Sequence, residues 1–231
     1  MESAIKYGLS FDKGFASQVR GASKSDVARL QNLTNKSLSS QHIDFLLTMG
    51  NCSDLIASPD ISTNIDDILN FYQENVLTGE DEIPDDYSLL GVGGGAIEHL
   101  LINRLNNNIR ELNDVRPGRL WSETLEKLLF TQVFARYKHL KLRQTMVFVD
   151  TDVTENHLEK CAQVLGKFGL FKLWFSDINS LSAESDIRAL QIVKYQGSGY
   201  WVRVSAEDEK VIYTIIESLC QVLQIQLRAQ K

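Results

Sequence analysis

Ile83–Asn113 reads IPDDYSLLGVGGGAIEHLLINRLNNNIRELN, and its two clusters of turn-forming residues decide how the chain is built. Tyr87 to Val92 predicts a strand, Gly93-Gly94-Gly95 a turn, and Ile97 to Asn103 either a returning strand or a helix. Asn106-Asn107-Asn108 supplies residues that tolerate positive φ, so it reads as a hairpin turn with Ile109 to Leu112 as the partner strand. The same glycines, Gly91-Val92-Gly93-Gly94-Gly95-Ala96, also fit G-x-G-x-x-A. In a dinucleotide site that pattern brings backbone close to a pyrophosphate at a helix N-terminus, and Glu111 stands twenty residues past Gly91. Against a nucleotide loop at Gly91, Gly93 and Gly95 stand the short preceding strand, the lack of a βαβ unit and the acidic flanks. A glycine-rich hairpin turn is the other reading.

Outward from this centre the pattern is helical on both sides. Ser23 with Asp26 forms a capping box for a helix whose apolar face is Val27, Leu30 and Leu33. Ser39 or Ser40 caps a second helix carrying Ile43, Leu46 and Leu47, stopped at Gly50. Ile65, Ile68, Leu69 and Tyr72 predict a third, with Asp66 and Asp67 in its first turn, where the helix dipole favours anions. An acidic turn runs from Gly79 to Asp86. After Asn113, Pro117-Gly118 is expected to close the sheet, and Ser122 to cap a long helix with Leu125, Leu128, Leu129, Val133 and Phe134 inward.

A second unit is expected from Gln144, giving domains 1–143 and 144–231. Thr145 to Asp150 alternates as a strand, and Asp152 with Glu155 caps a helix bearing Leu158, Cys161, Leu165 and Phe168. Leu170 to Phe175 predicts a strand and then a polar loop. Leu190 to Tyr195 and Tyr200 to Val204 flank the hairpin signal Gly197-Ser198-Gly199. Ser205 with Asp208 caps a final helix. The order β-α-β-β-β-α describes a small α+β domain, and the whole chain is expected to be α+β.

Composition is ordinary for a globular protein: 231 residues, 43% apolar and 23% charged. The longest apolar runs fall far short of the roughly 20 residues a membrane span needs. The N-terminus lacks the charged-then-apolar pattern of a secretory signal, so a soluble, cytoplasmic protein is expected. Three cysteines, Cys52, Cys161 and Cys220, exclude an even disulfide framework and share no metal-ligand spacing. Trp121, Trp174 and Trp201 read as core anchors, Trp201 also as an interface residue beside Tyr195 and Tyr200.

Net charge is −6, a poor case for nucleic-acid binding, and its distribution is uneven. Ser37 to Asn103 contains no Lys or Arg but twelve carboxylates. Either the basic flanks pack beside this stretch or an anionic surface remains that speeds encounter with a basic partner. Adjacent pairs such as Asp66-Asp67 and Asp85-Asp86 lack metal spacing. There is no G-x-S-x-G, P-loop, H-E-x-x-H or paired C-x-x-C, and no histidine has a catalytic companion. A non-enzyme without cofactor or metal is therefore expected.

Four segments carry a family resemblance: KSLSSQHIDFLLTMGN (Lys36–Asn51), IDDILNFY (Ile65–Tyr72), IPDDYSLLGVGGGAIEHLLI (Ile83–Ile102) and RLWSETLEKLLF (Arg119–Phe130). Their succession resembles the SUKH superfamily, α+β domains of bacterial immunity proteins that also include a fungal cell-wall synthesis regulator. Leu38 with Phe45-Leu46 matches the family's L-P-x-x-Y-x-x-F-L helix. Pro84 to Leu90 with Gly91 to Gly95 matches its proline-aspartate-tyrosine strand and Gly-rich hairpin, and Ser122 to Leu129 its closing helix. Ser39 replaces the family's proline, Ile43 its tyrosine, Asn51 its second glycine and Leu125 its usual aromatic. The resemblance covers about Leu38 to Tyr137. It implies an antiparallel sheet flanked by helices, a hairpin at the glycines, and a protein that binds and neutralises a toxin. Asp66, Asp67, Glu80, Asp81, Glu82, Asp85 and Asp86 are the expected partner-binding residues, facing a protein toxin such as a nuclease with a basic groove. A scaffold subunit of a cytoplasmic assembly is a further reading.

Overall fold

A computed structural model describes residues 1–52, 61–94, 98–113, 115–150, 158–194, 199–223 and 228–229. The fold is α+β, with two antiparallel sheets. The chain divides into two compact units, Met1–Gln132 and Val133–Lys231.

Unit 1 opens with α1 (Glu2–Phe11), α2 (Phe15–Gln18), α3 (Lys24–Thr34) and α4 (Ser40–Met49). The capping expectations hold where a side-chain oxygen meets an unpaired helix N–H. Ser23 Oγ accepts from Asp26 N at 3.1 Å and Ser39 Oγ from His42 N at 3.2 Å. Asn35 ends α3 in the left-handed region at φ 48°. Next come β1 (Ile61–Ser62) and α5 (Ile65–Phe71), which runs on through Val76 as a π-helical turn.

The sheet follows: β2 (Tyr87–Gly93), β3 (Leu100–Asn103), β4 (Ile109–Asn113) and β5 (Arg116–Ser122), in the order β1-β2-β3-β4-β5. The ambiguous stretch is thus a hairpin, with Leu89 opposite Leu101 and Gly91 opposite Leu100. All four residues of β3 are buried, so both faces of this strand are covered. Asn107 takes φ 60° in the next turn, as an asparagine cluster allows. Pro117 and Gly118 do not close the sheet but lie within β5. A proline fits there because β5 is an edge strand, where no outer ladder needs its missing N–H. Helix α6 (Leu125–Val133) is capped by Thr124, whose Oγ1 accepts from Lys127 N at 3.1 Å, and not by Ser122.

The units part at Gln132/Val133 rather than at the expected 143/144, because the residues that follow α6 pack within unit 2. Phe134 meets Phe175 at 5.9 Å between ring centroids, Lys138 pairs with Glu184 at 3.1 Å, and His139 Nδ1 shares a 2.7 Å hydrogen bond with Ser205 Oγ. The elements of unit 2 are β6 (Gln144–Asp150), α7 (Leu158–Val164), β7 (Phe171–Lys172), β8 (Ser180–Glu184), β9 (Arg188–Lys194), β10 (Tyr200–Ala206), α8 (Glu209–Leu223) and β11 (Arg228–Ala229). They form a six-stranded antiparallel sheet ordered β11-β6-β10-β9-β8-β7. Val202 lies opposite both Phe148 and Ile192, and these join Cys161, Ile212, Ile215 and Leu219 in one core.

Two strands depart from the expected β-α-β-β-β-α order. Strand β8 (SLSAE) was expected as a polar loop; its serines are buried instead, and Ser182 exchanges hydrogen bonds with Ser176 Oγ. Strand β11 carries no alternating signal in two residues. Ser205 is fully buried and caps nothing, whereas Asp208 Oδ1 accepts from Lys210 N at the start of α8. The Asp152–Glu155 cap and the glycine turn at 197–198 lie outside the described residues. The tryptophans are not core anchors. Trp174 is 57% exposed, while Trp121 and Trp201 are half-buried beneath Arg119 and Arg203. The three cysteines form no disulfide, and burial pushes the Cys161 thiol up to about 12.

Two histidines are buried as neutral rings. Burial holds His42 down at about 4, and both its ring nitrogens lack partners. Burial, then Arg203 and Lys138, hold His139 at about 3. Unfolded histidine takes up its proton near pH 6.5, so this stability is complete above that pH and is lost as pH falls toward these folded values. Unfolding free energy measured in urea is expected to fall between pH 7 and pH 5, by up to about 1.4 kcal/mol per pH unit for each ring. His42→Leu removes its share of the slope. An unchanged slope in that variant contradicts the assignment.

Candidate functional site

Helix α5 and the π turn that continues it turn one face toward the glycine end of β2. Asp67, Asn70, Phe71, Glu74 and Asn75 recur at helical spacing and line an open groove of about 540 Å³. Ser62, Val92, Gly93 and Gly94 form the facing wall. Local chemistry sets this geometry. Asn64 caps the helix by accepting from Asp66 N at 2.9 Å, and Ser62 Oγ donates to Asp67 Oδ2 at 2.5 Å. The π turn closes with Leu77 N on Tyr72 O at 2.9 Å. Leu89 N, beside the bulge between β2 and β3, donates to the buried Tyr72 hydroxyl at 3.2 Å. Burial pushes that phenol up to about 12.

The glycines serve packing and close approach. A Cβ on Gly91 would stand 2.9 Å from Ile61 Cγ2 and 3.2 Å from Thr63 Cγ2. Gly91 and Gly93 lie in a strand that returns antiparallel, and among the described residues no helix follows to receive a pyrophosphate. Gly95 lies outside the described residues. The βαβ setting required by a dinucleotide loop is therefore absent at Gly91 and Gly93.

The seven expected partner-binding carboxylates fall into two places. Asp66 is exposed on the first turn of α5, and Asp67 lines the groove. The N–H groups of Glu80 and Asp81 both reach Asn75 O, at 2.9 and 3.1 Å, which returns the chain to the groove's helical wall. Asp81 is half-buried, while Glu80 and Glu82 are exposed. Asp85 and Asp86 precede the other end of β2, about 20 Å along the strand from Gly93 at 3.3 Å per residue. Glu74 lines the groove and His99 bonds to its rim at Gly93, though neither was among the expected partner-binding residues. The spacing i, i+7 from Asp67 signals Glu74, whereas the placement of His99 depends on the hairpin register.

Few cations answer these groups. Asp85, 97% exposed, pairs with Lys36 at 2.8 Å, and Asp44 meets the Met1 amine at 3.5 Å. The other eight described carboxylates between residues 37 and 103 have no ion pair among the described residues. Arg29 donates to Gln73 Oε1 instead, and Arg104 to the carbonyls of Ser37 and Asp85. No group of His, Cys, Asp and Glu among the described residues is arranged to hold a metal ion.

No protein-family model and no curated protein matches this sequence. Among solved structures, the NMR structure of PA4090 from Pseudomonas aeruginosa is similar over 37% of this chain and 94% of that one, at 8% identity and a TM-score of 0.29. A likeness of that size carries no argument about fold or function.

Gly91→Ala is expected to lower stability by about 1–3 kcal/mol, the usual cost of overpacking, as β1 is pushed from β2. Chemical denaturation measures it. A neutral substitution contradicts the close fit of β1 on the glycine.

Proposed function

We propose that this chain is a non-catalytic, immunity-type binding protein that captures a cationic surface of a protein toxin through the acidic end of unit 1. The observation that supports it is the set of carboxylates around the groove that have no ion pair among the described residues. Arg29 and Arg104 are turned to amide and carbonyl oxygens, which leaves the negative potential to solvent. Unit 1 carries a net charge of −8 and unit 2 of +2, which concentrates the field in one half of the molecule. The order of helices, hairpin and closing helix that carries the SUKH resemblance supports the same reading. A nuclease is a suitable toxin, because a groove built for phosphates is lined with cations that this acidic face can occupy as a phosphate mimic.

Charge at the rim of such an interface acts mainly on the association rate and is screened by salt. Capture of a cationic nuclease toxin domain is expected to slow about tenfold or more between 50 and 500 mM salt, within the range of electrostatic steering. Asp67→Lys with Glu74→Lys is expected to slow it by a similar factor at low salt. Stopped-flow mixing reads both effects. Rates indifferent to salt and to the double reversal overturn the electrostatic reading.

A further inference from the structure

His99 stands behind two members of the groove wall. Gly93 N–H donates to its Nδ1 at 2.9 Å, which requires that nitrogen to be unprotonated and places the ring proton on Nε2. Its ring meets Phe71 edge-on at 4.5 Å between centroids. Its backbone carbonyl accepts from Leu112 N at 2.8 Å, which fixes the residue at the entry to β3. The ring thus ties the glycine rim to the helical wall through one hydrogen bond and one aromatic contact.

Among the described residues, the charged groups around the ring are mostly acidic. Asp81 faces the ring from the loop before β2, and Glu98 stands beside it in sequence. Helix α5, which supplies Phe71, presents Asp67, and the π turn that continues it presents Glu74, to the same groove. Strand β2 brings no Lys, Arg, Asp or Glu. On β4, Glu111 is bound to Arg119 at 2.9 Å. Burial holds His99 below the ordinary histidine range, while Asp81 and Glu98 pull it back up. Its proton is therefore taken up at a lower pH than that of an exposed histidine, near 6.5.

We propose that His99 is a pH-operated latch on the glycine rim: neutral, its Nδ1 holds the Gly93 N–H; protonated, Nδ1 carries its own proton, the bond is lost, and a positive charge stands behind the acidic wall. Both consequences oppose a cationic guest. Acidification releases the rim and sets a positive charge against the acidic wall. The latch concerns the protein alone, and its effect on a partner rests on the acidic-capture reading above.

The test is an NMR titration of the full chain from pH 8 to 4.5, following the Gly93 amide and the His99 ring. Both are expected to titrate with one shared midpoint below 6.5, and Gly93 exchange protection, corrected for intrinsic rates, to fall about tenfold or more. His99→Asn offers an amide oxygen that accepts without titrating, so it is expected to keep the Gly93 bond and abolish the response. A Gly93 amide that stays flat while the His99 ring titrates overturns the latch, and this wild-type comparison decides even if the variant does not fold. A deca-lysine peptide supplies the second arm. Its binding is expected to weaken from pH 7.5 to 4.5 by more in the wild type than in His99→Asn. If the peptide binds at no pH while Gly93 responds, the latch is supported and acidic capture is contradicted.

Discussion

Carboxylates can be neutralised only by cations brought from elsewhere in a chain, and between Ser37 and Asn103 this chain has none of its own. The fold answers that constraint sparingly. Lys36 reaches Asp85, while Arg29 and Arg104 bind amide and carbonyl oxygens. The other described acids, half-buried Asp81 excepted, are exposed to water, where solvation is favourable and repulsion between them decays over about 8 Å at physiological salt. Exposure is thus the low-cost state for these groups in the free protein. It also leaves them available to a guest, which is the link from charge placement to capture.

The groove gives that charge a shape. Its helical wall exists because Asn64 caps α5 and the π turn extends the same face to Glu74 and Asn75. Its opposite wall exists because Gly91 lets β1 lie against β2, and because Gly93 and Gly94 leave the strand end bare. Polar groups and one aromatic ring are thereby held on rigid elements rather than on a loop.

Much of this was legible in the sequence, and the failures have local causes. The helices were readable because Ser23, Ser39 and the apolar spacing after each agree with the structure. The central hairpin followed from asparagine and glycine chemistry that only a few turn types satisfy. Strand β5 was hidden by Pro117, which reads as a terminator unless one knows that the strand is an edge. Strand β8 was hidden by buried serines whose partners come from a loop six residues away. At the site, Asp67 was readable and Glu74 lay within reach of the same periodicity. Proximity in sequence grouped Asp85 and Asp86 with the groove, although an intervening strand carries the rim away from them. His99 was beyond reach, since its role depends on which residue stands opposite Gly91.

The central claim is that negative potential around residues 66–86 faces outward and attracts cations. Paramagnetic relaxation of backbone amides by a cationic and an anionic nitroxide of equal size measures this directly. The account predicts that the cationic probe relaxes the amides of Asp66 to Glu82 more strongly than the anionic one, and that the difference shrinks at 0.5 M salt. Equal relaxation by the two probes at low salt would contradict it.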